Sequence, residues 1–199
     1  MFIVIEGIDG SGKSTQAKRL GEFFEKRGEA YLATRLPSEN AIGKLARAAT
    51  QDEFSAESEA LALLFAADMV QHFYEEIAPA LARGEHVICD RYYYSTLAYQ
   101  GTNFDAFPRI SAYNQVVMSH RPNAVIFLDV PPEECMRRIA ASRDEISIYE
   151  AMDVLGHIRD RFMDVFDRLR GTENIFIIES GEEDRVFEKI LAAVNTLRA

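Results

Sequence analysis

The sequence predicts a three-layer α/β fold, in which a five-stranded parallel sheet is covered by helices on both faces. Three observations lead to this fold class. Short apolar runs alternate with helical patterns along the chain of 199 residues. Each run is apolar almost without interruption, as expected for a strand that is buried on both faces. A glycine-rich loop follows the first run and opens the first helix, which is typical of parallel sheets with a ligand site at the carboxyl ends of their strands.

Apolar runs and breaker residues predict the elements of the N-terminal half. The first strand is predicted at Phe2–Glu6, and the helix after the glycine-rich loop ends at Gly28. A long helical pattern covers 55–83, and Pro79 is expected to kink or divide it because proline lacks a backbone N–H. The remaining elements of this half are a strand at 30–35, a turn and short helix at 36–50, and a strand at 86–90.

The C-terminal half continues the same alternation of strands and helices. Gly101 ends one predicted helix, and Pro131 and Pro132 turn the chain out of the fourth strand. No repeat, low-complexity segment or linker interrupts the pattern, so we expect one domain over 1–199. The elements are helices at 91–101 and 106–120, a strand at 123–130, a helix at 133–142, a helix ending near 170, a strand at 174–180 and a helix at 182–197.

The composition limits the classes of function. The formal net charge is −10, so a protein that binds nucleic acid over a broad basic surface is not expected. We expect no membrane association either, because no apolar run approaches the ~20 residues of a membrane-spanning helix and the amino terminus lacks a signal-peptide pattern. Cys89 and Cys135 lie in different predicted elements and are expected to be free thiols of a cytoplasmic protein.

The loop GIDGSGKST fits the pattern G-x-x-x-x-G-K-[ST] and stands between a predicted strand and a predicted helix. In such a P-loop, successive backbone N–H groups converge on phosphate oxygens, and side chains would block that approach. The free N–H groups of the following helix add to the site. Lys13 is expected to reach the β- and γ-phosphates of a nucleoside triphosphate, and Ser14 to ligate Mg²⁺. The predicted nucleotide-binding residues are Gly7, Asp9, Gly10, Ser11, Gly12, Lys13, Ser14 and Thr15.

Asp90 and Arg91 stand at the end of the third predicted strand, where the carboxyl ends of parallel strands share one edge with the P-loop. Phosphoryl transfer between two anions needs positive charge between them, and the forked guanidinium of Arg91 suits an acceptor phosphate. Asp90 is placed to hold Mg²⁺ through water, as a Walker-B-type carboxylate does. The alternative is a solvated ion pair at the end of a strand.

Four stretches of the chain resemble the thymidylate kinase family of P-loop nucleoside monophosphate kinases: EGIDGSGKSTQ, LLFAAD, DRYYYSTLAYQG and FLDVPPEE. The resemblance runs from Met1 to the last helix and implies a three-layer P-loop kinase fold. It further implies transfer of the γ-phosphoryl group of ATP to dTMP with Mg²⁺, and a homodimer formed through the long helices. No protein nucleophile or general base is then needed, because the acceptor phosphate is itself anionic.

The same resemblance implies roles for residues around the acceptor. Asp9 would accept the sugar 3′-hydroxyl, and Phe65 would stack on the pyrimidine. Tyr99 would exclude a ribose 2′-hydroxyl, and Gln100 would pair with the edge of the base. Arg35 would meet the acceptor phosphate, although the family pattern Arg-Glu-Pro-Gly has a glutamate where this chain has a leucine. The implied acceptor-binding residues are Asp9, Arg35, Phe65, Arg91, Ser95, Tyr99 and Gln100.

Two departures from the family pattern leave alternatives open. Met69 stands where the family usually has an arginine that recognises a thymine carbonyl, so a kinase for another pyrimidine nucleotide or a deoxynucleoside stays possible. In the lid at 141–150, the catalytic arginine of the family has no clear counterpart, and Arg143, or else Arg137 or Arg138, would serve. More distant alternatives are a P-loop ATPase or switch protein and a catalytically inactive relative.

Overall fold

The computed structural model describes residues 1–51, 56–100, 106–142 and 152–198. The strands are β1 at Phe2–Glu6, β2 at Tyr31–Arg35, β3 at His86–Asp90, β4 at Ala124–Asp129 and β5 at Ile175–Glu179. They form one sheet in the order β2-β3-β1-β4-β5, and every pair of neighbouring strands is parallel. The predicted five-stranded parallel sheet is therefore confirmed.

Helices connect the strands and surround the sheet. A π-helical turn at Phe73–Ile77 joins the third helix to the fourth. The helices are α1 at Lys13–Lys26, α2 at Ala41–Thr50, α3 at Ser58–His72, α4 at Ala78–Ala82, α5 at Tyr93–Gln100, α6 at Ala106–Tyr113, α7 at Gln115–Met118, α8 at Pro132–Ser142, α9 at Met152–Leu169 and α10 at Glu183–Thr196. Among them, α1 contacts α10, and α5 contacts both α3 and α9.

The core lies on both sides of the three central strands. Every residue of β1 is buried, and so are the middle residues of β3 and the first five residues of β4. Neighbouring side chains of a strand point to opposite faces, so complete burial means that both faces of the sheet are covered. The edge strands β2 and β5 are more exposed, as their positions in the sheet require.

The strand register brings the two predicted phosphate-binding segments together. Ile5 of β1 pairs with Asp90 of β3, and Asp90 also pairs with Arg35 of β2. The chain leaves β1 into the glycine-rich loop and leaves β3 into the turn before α5. Because β1 and β3 are neighbours, these two segments lie side by side at one edge of the sheet.

The predicted helix at 106–120 is wrong as a single element, because the structure divides it into α6 and α7 at Asn114. Asn114 is buried, and its side-chain Nδ2 donates to the Ile110 carbonyl at 2.8 Å, the same oxygen that its backbone N–H approaches at 3.2 Å. A side chain that hydrogen-bonds the backbone in this way competes with helix continuation.

One further helix boundary differs from the prediction, whereas the division expected near Pro79 is found. The helix expected from 91 begins at Tyr93, because Arg91 has a φ of +73° and cannot belong to a right-handed helix. The long helical segment is divided by the π-helical turn just before Pro79. The division occurs there because Pro79 offers no N–H to the preceding turn of the helix.

Three other expectations concern the chain as a whole. Cys89 and Cys135 are both free and buried. No helix in the part of the chain that the structure describes is long and apolar enough to cross a membrane. The predicted lid at 141–150 lies outside the described residues from 143 onward, and the Arg143 prediction falls there.

Candidate active site

The glycine-rich loop between β1 and α1 has the backbone geometry of an anion cradle. Gly10 and Gly12 have φ values of +79° and +94°, in the left-handed region that favours glycine. A Cβ on Gly10 would lie 2.6 Å from the carbonyl oxygen of Cys135 in α8, so any larger residue would also collide with that helix. The loop leads directly into the amino end of α1, whose free N–H groups favour an anion.

Lys13 is the buried cation of this loop. Its Nζ donates to the carbonyl oxygens of Gly7 at 3.0 Å and Ile8 at 2.9 Å, and it lies 4.0 Å from a carboxylate oxygen of Asp9. Burial and the positive charge of Arg91 lower the pKa of Lys13, against the attraction of nearby carboxylates. The ammonium group is thus held on the loop backbone, within the space that the loop encloses.

Ser14 and Asp90 form a pair of oxygen ligands that fits Mg²⁺. The Ser14 hydroxyl donates to Asp90 Oδ2 at 2.7 Å, which joins the start of α1 to the end of β3. The other carboxylate oxygen, Asp90 Oδ1, is buried and has no hydrogen-bond partner within the described residues. A buried, unpartnered carboxylate oxygen beside a hydroxyl matches the oxygen ligands and the water shell that Mg²⁺ prefers.

Arg91 lies in a strained turn, and its side chain points toward the P-loop. A left-handed conformation costs a non-glycine residue roughly 1–2 kcal/mol. Its guanidinium donates from Nη1 to Ser95 Oγ at 3.0 Å and from Nη2 to Asp9 Oδ1 at 2.6 Å. The same Nη2 lies 3.3 Å from the Tyr99 hydroxyl, and the guanidinium carbon lies 5.1 Å from the centre of the Tyr99 ring. Strain of this kind is concentrated at functional sites.

Asp9 connects the two cations of the site. Burial opposes its ionisation, but the charges of Arg91 and Lys13 and hydrogen bonds from Arg91 and Tyr99 outweigh burial and hold the pKa of Asp9 at about 2. The Tyr99 hydroxyl donates to Asp9 Oδ2 at 3.2 Å. Asp9 therefore stays ionised at neutral pH. Its carboxylate oxygens are acceptors that the hydroxyl group of a ligand could approach.

A cavity opens beside the Asp9–Arg91 pair. Phe65 and Met69, four residues apart on one face of α3, supply part of its apolar wall. The cavity thus offers the Arg91 guanidinium to an anion and the Phe65 ring to a flat apolar group. The residues that line it are Asp9, Leu36, Pro37, Thr50, Gln51, Phe65, Met69, Arg91, Tyr92, Ser95, Thr96, Tyr99 and Gln100.

The structure brings together most of the residues predicted for an acceptor, with one exception among those described. Asp9, Phe65, Arg91, Ser95, Tyr99 and Gln100 all line the cavity. Arg35 instead pairs with Glu39 at 2.7 Å on the exposed surface, and the residues after it, Leu36 and Pro37, line the cavity.

A second cavity lies on the other side of the P-loop. Ser11, Gly12 and Thr15 form one wall, and Ser180 and Gly181, after β5, form another. Arg138 of α8 also lines it, and its Nη1 lies 3.4 Å from the Ser11 carbonyl oxygen. Glu134 holds both Arg137 and Arg138, at 2.7 Å each. Of these two alternatives to Arg143, Arg138 is the one whose guanidinium reaches the loop.

Two buried carboxylates of the site were missed from the sequence. Glu6 ends β1 and accepts hydrogen bonds from the start of α5, and Asp68 of α3 accepts the backbone N–H and hydroxyl of Ser38 at 2.8 and 2.5 Å. Asp68 thereby fixes the segment that carries Leu36 and Pro37. The available signal was an acidic residue in an otherwise apolar run, at its end for Glu6 and inside it for Asp68.

Comparisons with known proteins agree with this geometry. A family model described as thymidylate kinase matches residues 5–190. A protein of Pyrococcus horikoshii described as "Probable thymidylate kinase" is 37% identical over 196 residues, which cover 93% of this chain and 93% of that protein. A protein of Thermococcus kodakarensis with the same description is 36% identical over an alignment of 205 positions, which covers 99% of this chain and 98% of that protein. The family suggested by the sequence is confirmed, and the chain belongs to the thymidylate kinase family.

Proposed function

We propose that the protein transfers the γ-phosphoryl group of ATP to dTMP, yielding ADP and dTDP, and is a nucleoside monophosphate kinase. The observation that carries the proposal is the 2.6 Å contact between Asp9 and Arg91. Asp9 belongs to the P-loop and Arg91 to the wall of the acceptor cavity, so this contact joins the two anion sites. Two phosphate groups bound on its two sides would face each other, which is the arrangement that in-line transfer needs.

The donor side would be held by the P-loop. We assign the loop amides of Gly7–Thr15 and the Lys13 ammonium to the β- and γ-phosphates of ATP. Ser14 and Asp90 would hold Mg²⁺, which neutralises charge on the phosphate oxygens when it is bound. Arg143 of the lid at 141–150, or Arg138, would place a further positive charge over the transferred group.

The acceptor side would be held by the cavity. Arg91, oriented by Ser95, would bind the phosphate of dTMP, and Asp9 would accept the 3′-hydroxyl. Phe65 would stack on the thymine, as its place on the apolar wall suggests. Tyr99 would lie against the 2′ side of the sugar. Gln100 would contact the base. Arg35 would bind the phosphate, for which its ion pair with Glu39 would first have to break.

The test is an ADP-release assay with ATP, Mg²⁺ and one acceptor at a time. The panel contains dTMP, dUMP, dCMP, ribothymidine 5′-monophosphate and thymidine. We expect ADP release with dTMP far above the rate without acceptor, because water is a poor acceptor in a site built for a phosphate. ADP release that is equal with and without dTMP would refute the proposal and favour an ATPase.

Met69 gives a prediction about base recognition. Its side chain is 2% exposed and lines the cavity, but a thioether cannot donate a hydrogen bond to a carbonyl of the base. Replacing Met69 by arginine is expected to raise the kcat/KM ratio of dTMP to dCMP about tenfold, because a guanidinium favours a carbonyl over an amino group. Kinetics with both nucleotides measure the ratio. Met69→Leu is the control and should leave it unchanged; an unchanged ratio in Met69→Arg would contradict the prediction.

A homodimer is the proposed assembly. Exposed apolar side chains lie on α2, α3, α7 and the π-helical turn, and α3 contacts both α2 and α7. These side chains are Leu45, Leu63, Tyr74 and Val116, and each is about half exposed or more, at 48%, 48%, 56% and 48%. An apolar patch on adjacent helices is typical of a surface that a second copy covers.

Sedimentation at micromolar concentration is expected to give twice the chain mass of 22.5 kDa. Leu63→Arg should give the monomer mass, because it places a charge on α3, which contacts both α2 and α7. Ile177→Arg is the matched control, since Ile177 is 42% exposed but lies on the edge strand β5 outside the patch. The proposed interface would be refuted if the unchanged protein sedimented as a monomer, or if the two variants sedimented with the same mass.

The remaining features of the proposal concern organisation and location. We propose that residues 1–199 form one domain whose lid lies at 141–150. A cytoplasmic location is proposed as well, and the free thiols of Cys89 and Cys135 support it, because disulfides are rare in that compartment.

A further inference from the structure

Glu6, the last residue of β1, is a carboxylate with no exposed surface beside the acceptor site. Its Oε1 accepts the backbone N–H of Tyr92 at 2.7 Å and that of Ser95 at 3.3 Å. Its Oε2 accepts the Ser95 hydroxyl at 2.7 Å. These donors lie at the start of α5, where the first N–H groups of a helix lack the carbonyl four residues earlier, and the Ser95 N–H also donates to the Tyr92 carbonyl at 3.1 Å. Glu6 therefore holds the amino end of α5 against the end of β1.

Ser95 relays the effect of Glu6 to the guanidinium of Arg91. A serine hydroxyl has one hydrogen to donate, and an arginine side chain can only donate. Because the Ser95 hydrogen goes to the Glu6 carboxylate, the lone pairs of Ser95 Oγ are left to accept Arg91 Nη1 at 3.0 Å. The order of donors is thus set by the carboxylate, and it leaves Nη2 of Arg91 directed at Asp9.

The backbone around Arg91 is held by the same part of β1. The N–H of Arg91 donates to the Ile5 carbonyl at 3.0 Å, and the N–H of Tyr92 donates to Glu6. Consecutive amides on the two sides of the Arg91 Cα are therefore bound by consecutive residues of β1. These bonds oppose the relaxation of Arg91 from its φ of +73°.

Burial and the neighbouring groups act on the pKa of Glu6 in opposite directions. Burial raises the pKa of Glu6 to about 7, against the opposing effects of Arg91, the hydrogen bonds from Ser95 and Tyr92, and Lys13. Arg91 and Lys13 are the cations in this set, and Tyr99 of α5 and Cys89 of β3 are the neutral titratable groups near it. The charges of Arg91 and Lys13, which would each bind a phosphate, therefore both act on the buried carboxyl group of Glu6.

We infer that Glu6 is a positioning residue for Arg91: through the Ser95 hydroxyl and the Tyr92 amide, it aims the guanidinium at Asp9 and at the acceptor phosphate. Glu6 lines neither of the two cavities described above, so it acts on the acceptor only through another residue. The inference rests on the proposed function, because it takes the anion bound by Arg91 to be the phosphate of dTMP.

A double-mutant cycle with titration calorimetry tests the inference. Glu6→Gln keeps the shape of the side chain but loses the charge and one acceptor oxygen. At a pH about one unit above the pKa of Glu6, where its carboxylate is ionised, we expect the change to weaken dTMP binding about 10- to 100-fold, as loss of charged hydrogen bonds does. In the Arg91→Ala background the same change should weaken dTMP binding less than about twofold, because no guanidinium is left to aim. ADP affinity should change less than about twofold throughout.

Glu173→Gln is the matched control for loss of a carboxylate that holds α5. Glu173 accepts the hydroxyls of Tyr93 and Tyr94 but does not contact Arg91. It should leave dTMP affinity within about twofold of the unchanged protein. Unchanged dTMP binding in Glu6→Gln, or equal weakening in both Arg91 backgrounds, would overturn the inference.

Ser95→Ala decides the question if Glu6→Gln does not fold. It removes only the relay hydroxyl, and we expect about tenfold weaker dTMP binding that Ser95→Thr restores. Weakening that persists in the Arg91→Ala background, or no weakening at all, would overturn the inference. The unchanged protein separates the two proposals. If it binds no dTMP, the proposed function fails and the inference fails with it. If it binds dTMP but the effects of the Glu6 and Arg91 changes are additive, only the inference is refuted.

Discussion

Arg91→Ala is expected to lower kcat/KM for dTMP about 10³-fold or more. The change removes the cation that faces the acceptor cavity and leaves the Asp9 carboxylate without its 2.6 Å partner. Arg91 contributes most to the lowering of the Asp9 pKa, so its removal raises that pKa, and wherever Asp9 is ionised its unpaired charge repels the acceptor phosphate. Steady-state kinetics with dTMP measure the loss, and a residual activity above a tenth would contradict the assigned role.

Arg91→Gly separates the role of the guanidinium from that of the backbone. Glycine adopts the φ of +73° without strain, so this variant is expected to be more stable than Arg91→Ala by about 1 kcal/mol. Its activity should be as low as that of Arg91→Ala, because both lack the guanidinium. Thermal unfolding and kinetics on the same samples give both quantities. Higher activity in the glycine variant would show that strain, and not charge, limits the alanine variant.

Lys13→Ala is expected to lower kcat about 10²- to 10³-fold and to weaken ADP binding. The Lys13 ammonium is buried against the loop carbonyls of Gly7 and Ile8, so it is positioned before a nucleotide arrives. No solvent cation reproduces that placement, because the loop encloses the site. Phosphoryl-transfer rates and ADP titration measure the two effects.

Lys18→Ala is the matched control for Lys13→Ala. Lys18 lies on the same helix α1, but its side chain is 79% exposed and its ion pair with Glu22 spans 3.9 Å. An exposed pair of this kind contributes about 0–1 kcal/mol, so stability and kinetics should be almost unchanged. Activity loss in Lys18→Ala comparable to that in Lys13→Ala would mean that general charge on α1, and not the buried ammonium, supports catalysis.

The donor half of the candidate site could be predicted in detail because it is local in sequence. Gly10, Gly12, Lys13 and Ser14 lie within five positions, and the backbone conformation that makes them a cradle is a property of those positions. The acceptor half could be predicted only through the family resemblance. Its residues come from the P-loop, α3, the turn after β3 and α5, and nothing in their separate patterns brings them to one cavity.

Long-range contacts explain where prediction from the sequence failed. Arg91 was expected to start a helix, but bonds to Ile5 and Glu6 of β1 hold it in a turn that no local pattern announces. Arg35 was expected at the acceptor, but Glu39 draws its side chain to the surface. From the sequence, Glu6 was only the last residue of an apolar strand. Its role could not be predicted because its hydrogen-bond partners lie 86 and 89 positions away.

The sequence by itself determined the fold class, the strands and the P-loop, because apolar periodicity and glycine placement act over a few neighbouring residues. Only the tertiary structure decided the strand order, the pairing of Asp9 with Arg91 and the burial of Glu6 beneath α5. The physical reason is that a buried charge must be compensated by partners, and the partners of Asp9 and Glu6 come from other elements of the fold. Which elements those are depends on how the whole sheet is assembled.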